Sequence, residues 1–242
     1  MSDAGSRRPG VGHARATDPA AEILEQLRGL ADPERARSEQ AYLKSGSDFL
    51  GVSVPAGRRV VRAVLADRSI VDHDEVVALA LALWSGAYFE LRRAAVEVLA
   101  ARVEALGEAD LPLIESLVRD AETWALVDGL AGEVAASIVA RGVTPGIGAW
   151  LDRCAVDPES FWVRRLALLA LLRSLKSGST EWSRFSRYAD GMVAEREFFI
   201  RKAIGWVLRE VSKRDPELVR EWVDAREGRL SGVTRREAVK FL

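Results

Sequence analysis

The chain carries a single cysteine, Cys154, and only two histidines, His13 and His73. One cysteine cannot form an intramolecular disulfide or a thiolate zinc cluster. Two histidines give little basis for a Ser-His-Asp triad or a histidine-rich metal site. No metal and no cofactor are expected, and chemistry is left to carboxylates, cations and aromatics. A strong net charge is missing too: 35 lysines and arginines meet 36 aspartates and glutamates. The protein is therefore not globally basic, although charge gathered on one surface steers a nucleic acid whatever the sum. No apolar run approaches the roughly 18 residues of a membrane helix. The opening "MSDAGSRRPGVGHARATD" has no apolar core of a signal peptide. These absences predict a cytoplasmic protein without membrane contact, with residues 1–18 as a disordered leader and a single domain over 19–242.

Strand-like alternation is also absent, and helical periodicity takes its place. In "AAEILEQLRGL", Ile23, Leu24, Leu27 and Leu30 share one helix face. Stop and cap signals recur at "DP" (32–33), "SVPAG" (53–57), "SG" (85–86), "GVTPGIG" (142–148), "DPES" (157–160) and "DP" (215–216). Four segments align without gaps: "YFELRRA" from 88, "TWALVDG" from 123, "SFWVRRL" from 160 and "EFFIRKA" from 197. The second position is always aromatic (Phe89, Trp124, Phe161, Phe198). The sixth holds Arg93, Asp128, Arg165 and Lys202, in steps of 35, 37 and 37 residues. Fainter copies flank them, "VPAGRRV" reaching Arg59 and "GVTRREA" reaching Arg236.

A repeat of this length predicts an all-α fold, a HEAT-like α-solenoid of about six helical repeats. Equivalent positions then line up along one surface. Arg59, Arg93, Arg165, Lys202 and Arg236 would form a cationic stripe in a curved, concave groove, at about 10 Å per repeat. Such a stripe suits the phosphates of a DNA duplex.

Asp128 is the one carboxylate in that row. Trp124 and Asp128 lie four apart, on one helix face, and Lys202 and Trp206 have the same relation. One carboxylate, two indoles and nearby cations can cleave an N-glycosidic bond whose base is already positively charged. The carboxylate stabilises the sugar oxocarbenium ion and positions water, while indole faces attract positive charge. A plainer reading stands beside this one: Asp128 as a solvated ion pair, Trp124 as a core residue in the slot of three phenylalanines. Composition and spacing alone reach a solenoid with a suggestive acid, not an enzyme.

The stretches "FLGVSVPAGRRVV", "TWALVD", "FWVRRLALL", "FFIRKAIGWVLREVSKRDPELV" and "LSGVTRREAVKFL" together resemble the AlkD-type DNA alkylation-repair glycosylases, HEAT-like repeat enzymes. The resemblance covers about residues 20–242 and is strongest in the C-terminal third. It implies a monomer that grips duplex DNA and associates with the nucleoid. The reaction implied is excision of N3- or N7-alkylated purines in base excision repair, without a deep base-flipping pocket. Asp128 would then be the catalytic carboxylate, Trp124 and Trp206 the indoles at the lesion, and Arg165 the cation holding phosphate. Tyr42 matches a tyrosine near the groove. The stretch from Ala16 to Leu43 matches loosely, and Thr123 stands where another aromatic is expected, which bears on lesion preference. Two narrower roles compete: self-resistance against bulky natural-product adducts, and a DNA- or protein-binding scaffold without turnover.

Overall fold

The computed structural model describes residues 18–178 and 181–242, so the expected leader lies outside the described residues apart from Asp18. In chain order the helices are α1 (Pro19–Arg28), α2 (Pro33–Leu43), α3 (Val54–Asp67), α4 (His73–Trp84) and α5 (Phe89–Ala101). Then come α6 (Leu111–Asp120), α7 (Trp124–Gly129), α8 (Ala136–Ala140), α9 (Pro145–Ala155) and α10 (Phe161–Leu169). The last are α11 (Leu172–Ser177), α12 (Trp182–Met192), α13 (Phe198–Ser212), α14 (Pro216–Asp224) and α15 (Gly232–Ala238). Among the described residues there is no strand, only an isolated bridge between Asp48 and Tyr88. The protein is an all-helical repeat.

The punctuation read from the sequence does its work locally. The side chains of Asp18, Asp32, Ser53, Thr144, Ser160, Asp215 and Ser231 each accept a backbone N–H in the first turn that follows. Such caps satisfy donors that no helix can satisfy internally. Proline follows several of them, where its missing N–H costs nothing.

Packing turns the sequence repeat into a row. Helix α3 packs on α5, α5 on α7, α7 on α10, α10 on α13 and α13 on α15. The four aligned aromatics Phe89, Trp124, Phe161 and Phe198 are the first residues of α5, α7, α10 and α13. In α13 the residues Ile200, Ala203, Ile204, Val207, Leu208 and Val211 are all buried, a continuous apolar stripe. Gly205 lets α15 approach it closely, since a Cβ there would sit 2.6 Å from the Cβ of Glu237 and 2.8 Å from the Thr234 carbonyl oxygen.

One feature of the row was not legible. After Asp128 the chain does not continue as a regular helix but widens into a π-helical segment, Leu130–Ala135, before α8. Leu130, Ala131, Val134 and Ala135 are fully buried there. Insertions of this kind are frequent at functional sites.

The loop before α3 is latched to α5 from within. Glu90 is 1% exposed, and its carboxylate accepts the N–H groups of Leu50 (3.0 Å), Gly51 (2.7 Å) and Val52 (3.1 Å). Gly51 has φ +79°, and a Cβ would lie 2.0 Å from the Asp32 carbonyl oxygen, so only glycine fits. Arg93 closes the latch by donating to the Val52 carbonyl. Replacing Glu90 with alanine strips three buried donors of their acceptor, each worth about 1–3 kcal/mol when left unpaired. Glu90→Ala is expected to lower the unfolding free energy in urea by at least about 2 kcal/mol; a loss within about 0.5 kcal/mol would mean that the latch contributes little.

Candidate functional site

Asp128 is the fifth of the six residues of α7, a helix capped by Thr123, whose hydroxyl accepts the Ala125 N–H. Its carboxylate is held from across the row. Arg165, in the equivalent turn of α10, donates its Nε–H to Oδ1 (2.7 Å) and Nη2 to Oδ2 (2.9 Å), a two-pronged pairing. Nη1 donates to the carbonyl of Phe199 in α13, so Arg165 ties three helices of the row together. The Arg165 side chain is 3% exposed and that of Asp128 22%. One partner is therefore sealed, and the other keeps an open edge.

That edge faces two cavities. The second, of about 520 Å³, is lined by Asp128 together with Tyr42, Trp124, Phe198, Lys202 and Trp206, among others. The first, of about 320 Å³, shares Asp128 and Trp206 but extends toward α3 and α5. Trp124 and Trp206 are half-buried, and Tyr42, 73% exposed, meets Trp124 edge-on at 6.1 Å between ring centroids. The i, i+4 relation read from the sequence puts Trp124 beside the acid, and the packing of the row brings Trp206 to the same cavity. Among the described residues no cluster of three or more His, Cys, Asp or Glu is placed to hold a metal ion.

The cations divide differently from the expected stripe. Arg165, expected to hold phosphate, also lines the second cavity, but three of its five N–H donors go to Asp128 and the Phe199 carbonyl. Arg93 lines the first cavity, yet its guanidinium is turned to the Val52 carbonyl, and burial holds its pKa below the ordinary arginine value. Lys202 is exposed at the second cavity, 5.8 Å from the centre of the Phe198 ring. Arg59 and Arg236 are exposed and line neither cavity.

Arg59 is also out of register. Counted from the N-caps Tyr88, Thr123, Ser160, Glu197 and Ser231, the fifth residue on is Arg93, Asp128, Arg165, Lys202 and Arg236. From Ser53, the cap of α3, the same count gives Arg58. Arg58 does line the first cavity, where hydrogen bonding to Glu97 (2.8 Å) raises its pKa above the ordinary value. The doublet "RR" hid this, and the serine cap was the signal that resolves it.

Other residues escaped the sequence reading. Phe198 and Phe199 form an aromatic wall with Phe161 and Trp162, Phe199 lying 4.9 Å from Trp162 and 6.4 Å from Phe161. Phe198 stays 51% exposed at the mouth of the second cavity. Glu237 closes the far side through a salt bridge with Arg209.

The model of the family described as "DNA alkylation repair enzyme" matches residues 23–242. The chain belongs to the DNA alkylation repair enzyme family. Membership makes DNA the substrate implied for it. Among solved structures, a predicted DNA alkylation repair enzyme from Enterococcus faecalis is similar at 25% identity and TM-score 0.75, covering 88% of this chain and 96% of that one. The protein smu.31 of Streptococcus mutans UA159 has the same fold at 18% identity and TM-score 0.57, covering 89% and 99%. AlkD2 from Streptococcus mutans shares it at 20% identity and TM-score 0.55, covering 75% and 88%. No curated protein matches.

For a member of the DNA alkylation repair family, these placements set the exposed Lys202 apart from Arg165, which is paired with Asp128. Lys202→Gln is expected to reduce the slope of log affinity for duplex DNA against log salt by about one. Arg165→Gln, in protein that keeps its helical circular dichroism, is expected to leave that slope alone. Equal losses in the two variants would show that Arg165 reaches phosphate after all.

Proposed function

We propose that the protein is a DNA N-glycosylase that excises purines made cationic by alkylation at N3 or N7, with Asp128 as the catalytic carboxylate. The observation that carries this reading is the fork from Arg165 to Asp128, which fixes an acid between two indoles on an open cavity. A surface ion pair meant only to solvate a helix would not seal one partner to 3% exposure and leave the other facing Trp124 and Trp206.

The chemistry follows from the substrate's own charge. When the C1′–N bond breaks, the bonding electrons go to the base and neutralise it, so no general acid is needed. The positive charge passes to the sugar. Asp128, held in place before the reaction, stabilises that charge without having to reorganise. Water then adds to C1′ and gives up one proton to the surrounding solvent, with the carboxylate positioned to orient it. Trp124 and Trp206 present aromatic faces to the positive sugar and base, an attraction of about 0.5–2 kcal/mol at such sites. Arg165 does not touch the substrate in this account. It orients the acid, while the exposed cations Lys202, Arg59 and Arg236 meet the backbone.

Duplex DNA carrying 7-methylguanine should release free base on incubation with the protein. Asp128→Asn is expected to slow that release at least about tenfold, some 1.4 kcal/mol of barrier, while duplex affinity stays near that of the unmutated protein. Undiminished release would remove Asp128 from the chemistry. Salt-sensitive duplex binding with no release from any alkylated substrate would instead identify a scaffold.

A further inference from the structure

The second cavity houses the indole and acid set, but the mechanism makes no use of the first. It opens on the same carboxylate, is walled by Asp128 and Trp206, and runs between α3, α5 and the π-helical segment. At about 320 Å³ it is roughly twice the 150 Å³ of a protein cavity that holds benzene. Its inner wall joins the apolar Ala94, Val96, Ala125 and Leu172 to the charged Glu90, Arg93 and Glu97, which are already paired with the α3 loop and with Arg58. Its rim is polar, with Arg58 3.9 Å from Glu133.

Two glycines on its floor behave differently. Gly129 is demanded by packing, because a Cβ would come within 2.6 Å of Val96 Cγ1. Gly132 is not: a Cβ there would meet nothing within 4 Å, and its backbone lies outside the positive-φ region. A helix-interior glycine is less stable than alanine, and neither packing nor backbone geometry accounts for this one. What its missing side chain does is leave the cavity open beside Asp128.

We infer that this cavity receives the substituent of the alkylated purine, and that Gly132 sets the size it admits. The inference rests on the glycosylase reading above and extends it to lesions bearing an apolar group larger than methyl, such as an aryl-methyl group. The sugar stays on the Trp124 side of Asp128, and only the substituent enters. Entry removes the substituent's apolar surface from water against Val96 and Leu172. The base itself is not engulfed. The cavity therefore acts as a specificity element, distinct from the acid and the indoles.

The test compares release of 7-benzylguanine and 7-methylguanine from otherwise identical duplexes. The full-length protein is expected to release both. In Gly132→Leu the ratio of benzyl to methyl release should fall at least tenfold, with Gly132→Ala in between. Gly57→Met supplies a second obstruction from α3, where an added Cβ meets only ordinary contacts at 3.7 Å and 3.9 Å. It should lower the same ratio, so the outcome does not hang on one variant's folding. Ratios within twofold of the unmutated protein in both folded variants would overturn the cavity's role and leave the glycosylase reading intact. Release of neither base by the unmutated protein would overturn the glycosylase reading itself and this one with it.

Discussion

A buried guanidinium held against a half-open carboxylate organises this molecule. Isolating an arginine from water is costly unless its donors are matched, and breaking such a pair by removing one partner costs about 3–5 kcal/mol. Arg165 meets the requirement with both oxygens of Asp128 and the Phe199 carbonyl. The three groups belong to α7, α10 and α13, so the electrostatic demand of one side chain sets the relative placement of three helices in the row. The acid cannot swing away without stranding the arginine. That constraint fixes the carboxylate before any ligand arrives, which is the preorganisation that the role proposed for Asp128 requires.

The π-helical segment adds a second constraint. A widened turn at Leu130–Ala135 follows Asp128 directly, and its apolar residues are fully buried against α5, α6 and α10. The acid is thereby placed at the end of a short, regular α7, with cavities on both sides of it. Farther along the row, Glu90 and Arg93 fix the loop that leads into α3, and Glu97 gathers Arg58 and Arg62 onto α5. Much of the positive charge in this half is thus spent on holding the row together.

Helix boundaries and faces were legible because they are local. The cap residues, the prolines after them and the aromatic at each inner-row start each act within one turn. Spacing four apart placed Trp124 with Asp128 and Lys202 with Trp206 without any tertiary information. What spacing could not supply is the partner across the row. Arg165 and Arg93 occupy the register expected of them, yet their guanidiniums turn inward, because an uncommitted carboxylate and an orphaned carbonyl lie within reach. Arg58, not Arg59, holds the register of the row, because a doublet of identical residues has no register of its own, whereas counting from Ser53 has one. The π-helical turn left no mark beyond the pair Gly129 and Gly132, since its cause is the packing around it.

The central claim is that Arg165 acts through Asp128 and not independently of it. A double-mutant cycle on single-turnover base release tests this directly, comparing Asp128→Asn, Arg165→Gln and the two together. Residues that work as one unit show strongly non-additive losses. The account predicts that the double variant is no slower than Asp128→Asn alone. Losses that multiply would mean that the two side chains contribute separately and would contradict it.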